Sequence, residues 1–553
     1  MKRFLFLIPM LALSAESIPD GAQLNKMIAR FAPTEFRLDV AGLSPGDRKA
    51  LVKLIEASRV LNDIFLDQLW SGNRALSAKL QQDTSPLGKA RLHYFWINKG
   101  PWSDLEGHTA FLPGVPPKKP LGANFYPEDM TREQFEPWVK TLSKDQRQAA
   151  EGFFTVIRRD ANHHLKVVPY SVEYKTDLAR AARLLEEAGG LTDNQTLKKF
   201  LIARSAAFLS NDYYESDLAW MDLDAPVDIT IGPYETYNDE LFGYKAAFEA
   251  YVNIRDERET AKLEFFGRHL QEIENNLPID PKYRNPKLGA QAPIRVVNEI
   301  FAAADGNHGV QTAAYNLPND ERVITQKGSK RVMLKNVQEA KFKSTLIPIA
   351  KRVLPAASQR DLSFDAFFTH ILAHELSHGI GPHQIAVAGR ATTPRQELKE
   401  LYSALEEAKA DVTGLFMLQY LYDHNLVKHG PSAERQLHIT FLASTFRSLR
   451  FGQKEAHARG MAMQVNYLMD KGGFVERPDG TFDVNFDKIK SAVRDLDRDL
   501  LTLEAKGDYA GAKLMLDTLG VVRPDMQKLL NRLSDIPVDI EPIFVTADQL
   551  AKQ

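Results

Sequence analysis

Residues 364–378 read Phe364-Asp365-Ala366-Phe367-Phe368-Thr369-His370-Ile371-Leu372-Ala373-His374-Glu375-Leu376-Ser377-His378. Apolar residues recur at three- and four-residue steps, the period of an α-helix. At about 3.6 residues per turn, His374 and His378 fall one above the other on one face, so both imidazoles can reach a single ion. Glu375 lies one step round the helix, where a carboxylate can address a water on that ion without occupying the metal. Phe364, Phe367, Phe368, Ile371 and Leu372 provide a face to bury, and Gly379 and Gly381 follow as stop signals.

A zinc site of this kind takes three protein ligands and leaves the fourth position to water. The chain contains no cysteine. Thiolate ligands, disulfides and iron–sulfur clusters are thereby excluded, and the third ligand must be His, Asp or Glu. A histidine at position 384 would complete an extended zinc motif, but Gln384 stands there and His383 is off by one. The other source is Glu406-Glu407-Ala408-Lys409-Ala410-Asp411, in a helical stretch marked by Leu401, Leu405, Val412, Leu415 and Phe416. Three carboxylates beside an apolar helix face are costly to bury unless cations offset them. One of the three can bind the metal, and the others can accept the second N–H of each histidine and fix its tautomer. His370 extends the histidine ladder and reads as a packing or orienting residue. His163-His164 reads as surface, because adjacent residues do not share a helix face.

The surrounding chain is ordinary globular material. Its 553 residues are 44% hydrophobic and 26% charged, with a formal net charge of −2. That balance excludes a nucleic-acid binder working by bulk positive charge, and the length calls for two or more lobes. No apolar run reaches the ~18 residues of a membrane span. Met1-Lys2-Arg3, the apolar run Phe4 to Leu13 and the small residues Ser14-Ala15 form a secretory signal pattern. The expectation is export, into a bacterial periplasm.

Helical spacing is expected over Pro45 to Lys79, 177–220, 244–276, Phe364 to Ile380, Gln396 to Tyr422 and 432–472. Strands are expected at Pro226 to Pro233, Ile294 to Val297 and Ile536 to Phe544, the last packing back on the first lobe. Phe95 to Asp129 reads as irregular, aromatic-bearing structure, and the Pro-rich Pro278 to Pro293 as a boundary.

At its two motifs the sequence resembles the dipeptidyl peptidase III family of zinc exopeptidases, whose members carry a His-Glu zinc helix followed by a Glu-Glu-x-x-Ala-Asp/Glu helix. The zinc motif here has the ordinary five-residue spacing instead of the family's six. The resemblance implies that His374, His378 and Glu407 bind one zinc ion, that Glu375 activates the water, and that Glu406 and Asp411 orient the histidines. Gly232-Pro233-Tyr234-Glu235-Thr236-Tyr237 is similar to the family's Gly-x-x-Glu-Ser-Tyr block. It implies that Glu235 binds the substrate's amino terminus and that Tyr237 assists at the scissile carbonyl. Asn316-Leu317-Pro318-Asn319-Asp320 resembles the block whose two asparagines bind the peptide's N-terminal end, which gives that role to Asn316 and Asn319. Glu455-Ala456-His457-Ala458 resembles the block whose histidine, here His457, stabilises the oxyanion.

The fold class this implies is α+β, mainly α: a helical zinc-bearing lobe, a mixed lobe with a β-barrel core, and a cleft between them. The expected division is a signal peptide at 1–15, the mixed lobe at 16–245, the helical lobe at 246–290, lower-lobe strands at 291–345, the zinc-binding lobe at 346–515 and a C-terminal return at 516–553. The function expected is hydrolysis of peptide substrates with release of N-terminal dipeptides. A zinc endopeptidase or aminopeptidase without dipeptide specificity, and an exported peptide-binding protein that keeps zinc only structurally, are the competing readings.

Overall fold

A computed structural model describes residues 18–288, 293–450 and 456–552. The expected signal peptide, 1–15, lies outside them. No helix among the described residues is long and apolar enough to cross a membrane.

Helix starts follow local chemistry. Ser44 accepts from the Asp47 N–H ahead of Pro45, and the 25-residue helix Pro45–Leu69 follows. Ser363 accepts from the Ala366 N–H and opens the histidine helix, Phe364–Ser377. The carboxylate helix, Tyr402–Asp423, is apolar almost all round and runs through the middle of the upper lobe, against the histidine helix and the helices Ala456–Asp470 and Ile489–Lys506.

Strands Val227–Pro233, Phe248–Arg255, Ile294–Ala304, Lys330–Leu334 and Ala314–Leu317 lie side by side in that order in a mixed sheet. All neighbours are antiparallel except Ile294–Ala304 with Lys330–Leu334. The sheet divides two cores. Ile294, Val296 and Met333 point into the upper core with Leu372, Ala373 and Leu415. Val297, Ile300, Val332 and Leu334 point into the lower core with Leu54, Ile64 and Leu185. Alternation along Ile294–Val297 and Lys330–Leu334 thus attaches both lobes to one sheet.

Among the described residues the edge strands share no backbone ladder and approach each other through the Thr230 and Tyr315 hydroxyls, 2.8 Å apart, so the sheet curls on itself without a hydrogen-bonded barrel closure. Two expectations change. Residues 248–255, expected to be helical, form a strand buried along most of its length, because continuous burial on both faces hides the alternation that normally marks one. The helical-lobe segment therefore begins with the helix Glu257–Arg268 and not at 246. The C-terminal return also starts later than 516: Leu516, Met526, Leu529, Leu533 and Ile536 belong to the upper core. The chain crosses back at strand Asp539–Ile543, which pairs in parallel with Phe31–Glu35, and Phe544, Ala547 and Leu550 after it enter the lower core.

Gly460 lets the helix Ala456–Asp470 press on the carboxylate helix, since a Cβ there would sit 2.5 Å from the Ala404 carbonyl oxygen. Gly460→Ala is expected to cost about 1–3 kcal/mol by forcing these helices apart. The urea midpoint should fall, and an unchanged midpoint would show that the contact yields freely.

Candidate active site

The histidine helix and the carboxylate helix cross so closely that a Cβ on Gly414 would lie 3.0 Å from the His374 nitrogen. At that crossing His374 Nε2 and His378 Nε2 are 3.2 Å apart. Glu407 Oε2 is 3.3 Å from His374 Nε2 and 4.0 Å from His378 Nε2. Zinc bonds of about 2.0–2.1 Å in a tetrahedron require ligand separations of about 3.3 Å. The donor set, two imidazoles and one carboxylate, suits a single small divalent cation: two of the three separations match this spacing, and the one between Glu407 and His378 is longer. Among the described residues, these three form the group of His, Asp or Glu able to hold a metal.

The opposite ring nitrogens are held by the remaining carboxylates of the acidic motif. Asp411 Oδ1 lies 2.8 Å from His374 Nδ1, and Glu406 Oε1 lies 2.7 Å from His378 Nδ1. Each imidazole thus gives its Nδ1–H to a carboxylate and presents Nε2 to the metal position. Gln464 Nε2 donates to the other Asp411 oxygen at 3.0 Å. Burial opposes charge on His374, yet Asp411, Glu407 and Glu375 together hold its pKa well above the ordinary value. Burial likewise works against the Glu406 carboxylate, but Lys409 and His378 bring it down to about 2. Behind it, burial and the Glu406 charge keep Glu504 a neutral acid.

His370 stays out of the donor group. It is buried, lies 3.0 Å through Nε2 from the Asp411 carbonyl oxygen and packs edge-on against Phe441. His383, His163 and His164 are exposed. Glu375 is half-buried and lines a cavity of about 1090 Å³ together with His374, His378 and Glu407.

The sheet supplies the facing wall of that cavity. Glu235 and Tyr237 lie in the turn after strand Val227–Pro233. The turn is organised by buried Asp239, whose oxygens accept the N–H groups of Leu241, Phe242, Tyr244 and Lys245. Burial, reinforced by Asp305, pushes the Glu235 carboxyl up to about 7. The Glu235 charge and then burial push the Tyr237 phenol up to about 12, although its ring is 79% exposed to the cleft. Asn319 Nδ2 donates to the Tyr234 carbonyl at 2.9 Å, tying the two substrate-side loops together. Asn316 is exposed on the edge strand Ala314–Leu317 and lines the same cavity. His457 lies in the first turn of the helix Ala456–Asp470, and its side chain is outside the described residues.

Sequence reasoning passed over Lys409, Gln464 and Asp305. Lys409 stood inside the quoted acidic motif as a lone cation among carboxylates. Gln464 and Asp305 carry no local signal, since only folding brings them to their partners.

Residues 134–384 match the profile of Peptidase family M49. Dipeptidyl-peptidase III from Corallococcus sp. strain EGB is 54% identical, with 97% of this chain and 99% of that chain covered and a TM-score of 0.85. DPP III from Caldithrix abyssi is 47% identical, with 95% and 100% covered and a TM-score of 0.92. Nudix hydrolase 3 from Arabidopsis thaliana is 43% identical over 95% of this chain and 74% of its own length.

Because Asp411 and Glu406 act through the histidines, Asp411→Asn should preserve the fold but weaken zinc binding about 10–100-fold, read by competition with a chromophoric chelator. Wild-type affinity would show that Asp411 does not orient His374. With a donor set able to hold a metal and relatives at this identity over nearly the whole chain, the protein belongs to peptidase family M49, the dipeptidyl-peptidase III family, and is a metallopeptidase of the dipeptidyl-peptidase type.

Proposed function

We propose that the protein binds one zinc ion through His374, His378 and Glu407 and uses it to release dipeptides from the N-termini of peptides. The observation that carries the reading is a donor triad close to tetrahedral spacing, lining one cavity with Glu235. Zinc in such a site lowers the pKa of water and polarises a carbonyl. The chain's own residues do the rest. Glu375 stands beside the ligands without joining them, so its carboxylate can take the proton of the attacking water and deliver it to the leaving amine. Tyr237, held protonated by the neighbouring negative charge, offers a phenolic O–H to the developing oxyanion. His457 takes the same role by resemblance. The substrate's ammonium group is received by Glu235, with Asp305 adding negative potential behind it. Asn316 and Asn319 hold the first residues of the peptide along the edge strand.

Two measurements test this. Glu375→Gln should retain one equivalent of zinc while dipeptidyl-arylamide hydrolysis falls by about 10²–10⁴-fold, the scale of a lost general acid–base. Mass spectrometry of peptide digests with the wild type should show a ladder spaced by two residues. Internal cleavage or single-residue loss would favour the endopeptidase or aminopeptidase reading, and zinc without hydrolysis the peptide-binding one.

The amine site also sets a pH dependence. A carboxyl whose pKa is raised to about 7 is neutral below that pH and charged above it. Because only the charged form pairs with an ammonium, kcat/KM should rise as pH increases through about 7, until the substrate amine itself deprotonates near pH ~8. Glu235→Gln should lower kcat/KM by roughly 10–100-fold at pH 7.5, the cost of a lost charge-assisted hydrogen bond. It should also flatten this acid limb, and an unaltered limb would assign the titration elsewhere.

A further inference from the structure

We infer that Lys409 is a positioning residue of the metal centre: its ammonium ties the backbone on both sides of His378 to the carboxylate that orients the His378 ring. The inference rests on the zinc-peptidase reading above.

The second histidine of the motif stands at an exposed point of the helix geometry. The histidine helix ends at Ser377, and His378 is its C-cap residue, with φ −63° and ψ −22°. The last carbonyls of a helix have no partner within it and must find one elsewhere. A ligand carried there inherits the freedom of a helix end unless something outside the helix holds it.

Lys409 supplies that hold from the neighbouring helix. Its Nζ donates to the Ser377 carbonyl at 2.9 Å and to the Ile380 carbonyl at 3.2 Å, one on each side of His378 in sequence. It also lies 2.9 Å from Glu406 Oε1, the same oxygen that stands 2.7 Å from His378 Nδ1. An ammonium has three N–H groups, and these three acceptors match them. The side chain is 1% exposed. A buried cation facing only carbonyls would be costly, and the Glu406 carboxylate offsets that cost.

The arrangement is a closed loop of contacts: His378 ring, Glu406, Lys409, and back to the main chain flanking His378. Rotating the imidazole away from the metal position breaks the bond to Glu406, while fraying the helix end strips Lys409 of two acceptors. Lysine suits the position because its donors diverge from one atom, whereas the planar fork of arginine would direct them in one plane. The far end of the same turn is held separately, by Glu274 Oε2 accepting from the Gly381 N–H at 2.7 Å. That contact does not include Glu406, so the coupling to the ring is specific to Lys409.

The experiment is zinc affinity by chelator competition on the full chain, for wild type, Lys409→Met, Glu406→Gln and the double variant. Each single variant is expected to raise the zinc Kd about 10–100-fold. The double variant should raise it by clearly less than the product of the two factors, since both act through one network. Excess zinc should restore Lys409→Met activity toward an arylamide with KM unchanged, which a general loss of structure would not allow. A wild-type Kd in Lys409→Met, or a double variant equal to the product, overturns the inference. If Lys409→Met does not accumulate folded, Lys409→Arg carries the test: a raised Kd with cooperative unfolding supports the inference, and a wild-type Kd overturns it. A wild type that binds no zinc overturns the peptidase reading and this inference together, whereas zinc-loaded, active wild type with unaffected variants overturns this inference alone.

Discussion

Everything at the metal centre depends on how closely two helices approach. The histidine helix contributes both imidazoles and Glu375, the carboxylate helix contributes Glu407 and the two carboxylates that face the opposite ring nitrogens, and neither set makes a metal group without the other. Gly414 marks the crossing: with no side chain there, the backbone at Ala373 and His374 comes within van der Waals reach of the partner helix. The donor separations of 3.2, 3.3 and 4.0 Å are consequences of that approach. Gly460 repeats the device one helix further out, where the carboxylate helix meets Ala456–Asp470. Close crossings of this kind leave few alternative packings, because interiors are filled to the density of organic crystals.

The same closeness creates an electrostatic problem. Glu406, Glu407, Asp411, Asp497 and Glu504 are carried on two packed helices, and Lys409 is the buried cation the structure sets among them. Isolated buried carboxylates are strongly disfavoured. The protein resolves this unevenly. Glu406 and Asp411 remain charged because Lys409 and the imidazoles face them, while burial makes acids of Glu504 and Asp497, the latter pushed up to about 7. Charge is thus kept at the positions that touch the histidines and suppressed one layer behind.

The sheet performs the complementary task on the other side of the cavity. Its two faces feed two cores, so it cannot move far without disturbing both, and the loops at its end inherit that rigidity. The turn bearing Glu235 and Tyr237 is threaded through Asp239, and Asn319 clips it to the loop after the edge strand. The cavity between the helices and the sheet is therefore polar in an ordered sense. Glu235, Glu249 and Asp305 gather on the sheet side, and the metal donors line the same cavity from the helices.

Much of this was legible in the residues themselves. The i, i+4 histidines, the base beside them and the acidic hexapeptide report a metallopeptidase because helical periodicity is a local property, and six consecutive residues suffice to show which carboxylates share a face. The strand Val227–Pro233 and the C-terminal strand were legible for the same reason. What the chain alone left open was decided by contacts between distant segments. Phe248–Arg255 reads as helix until its burial on both faces is seen, and the approach of the two edge strands through the Thr230 and Tyr315 side chains is visible only in the folded sheet. The convergence of Glu407 on the two histidines, the partnership of Gln464 with Asp411, the negative potential of Asp305 behind Glu235 and the grip of Lys409 on the histidine helix all span tens of residues. Sequence spacing determines which groups can face the same way; only the packed structure determines what they face.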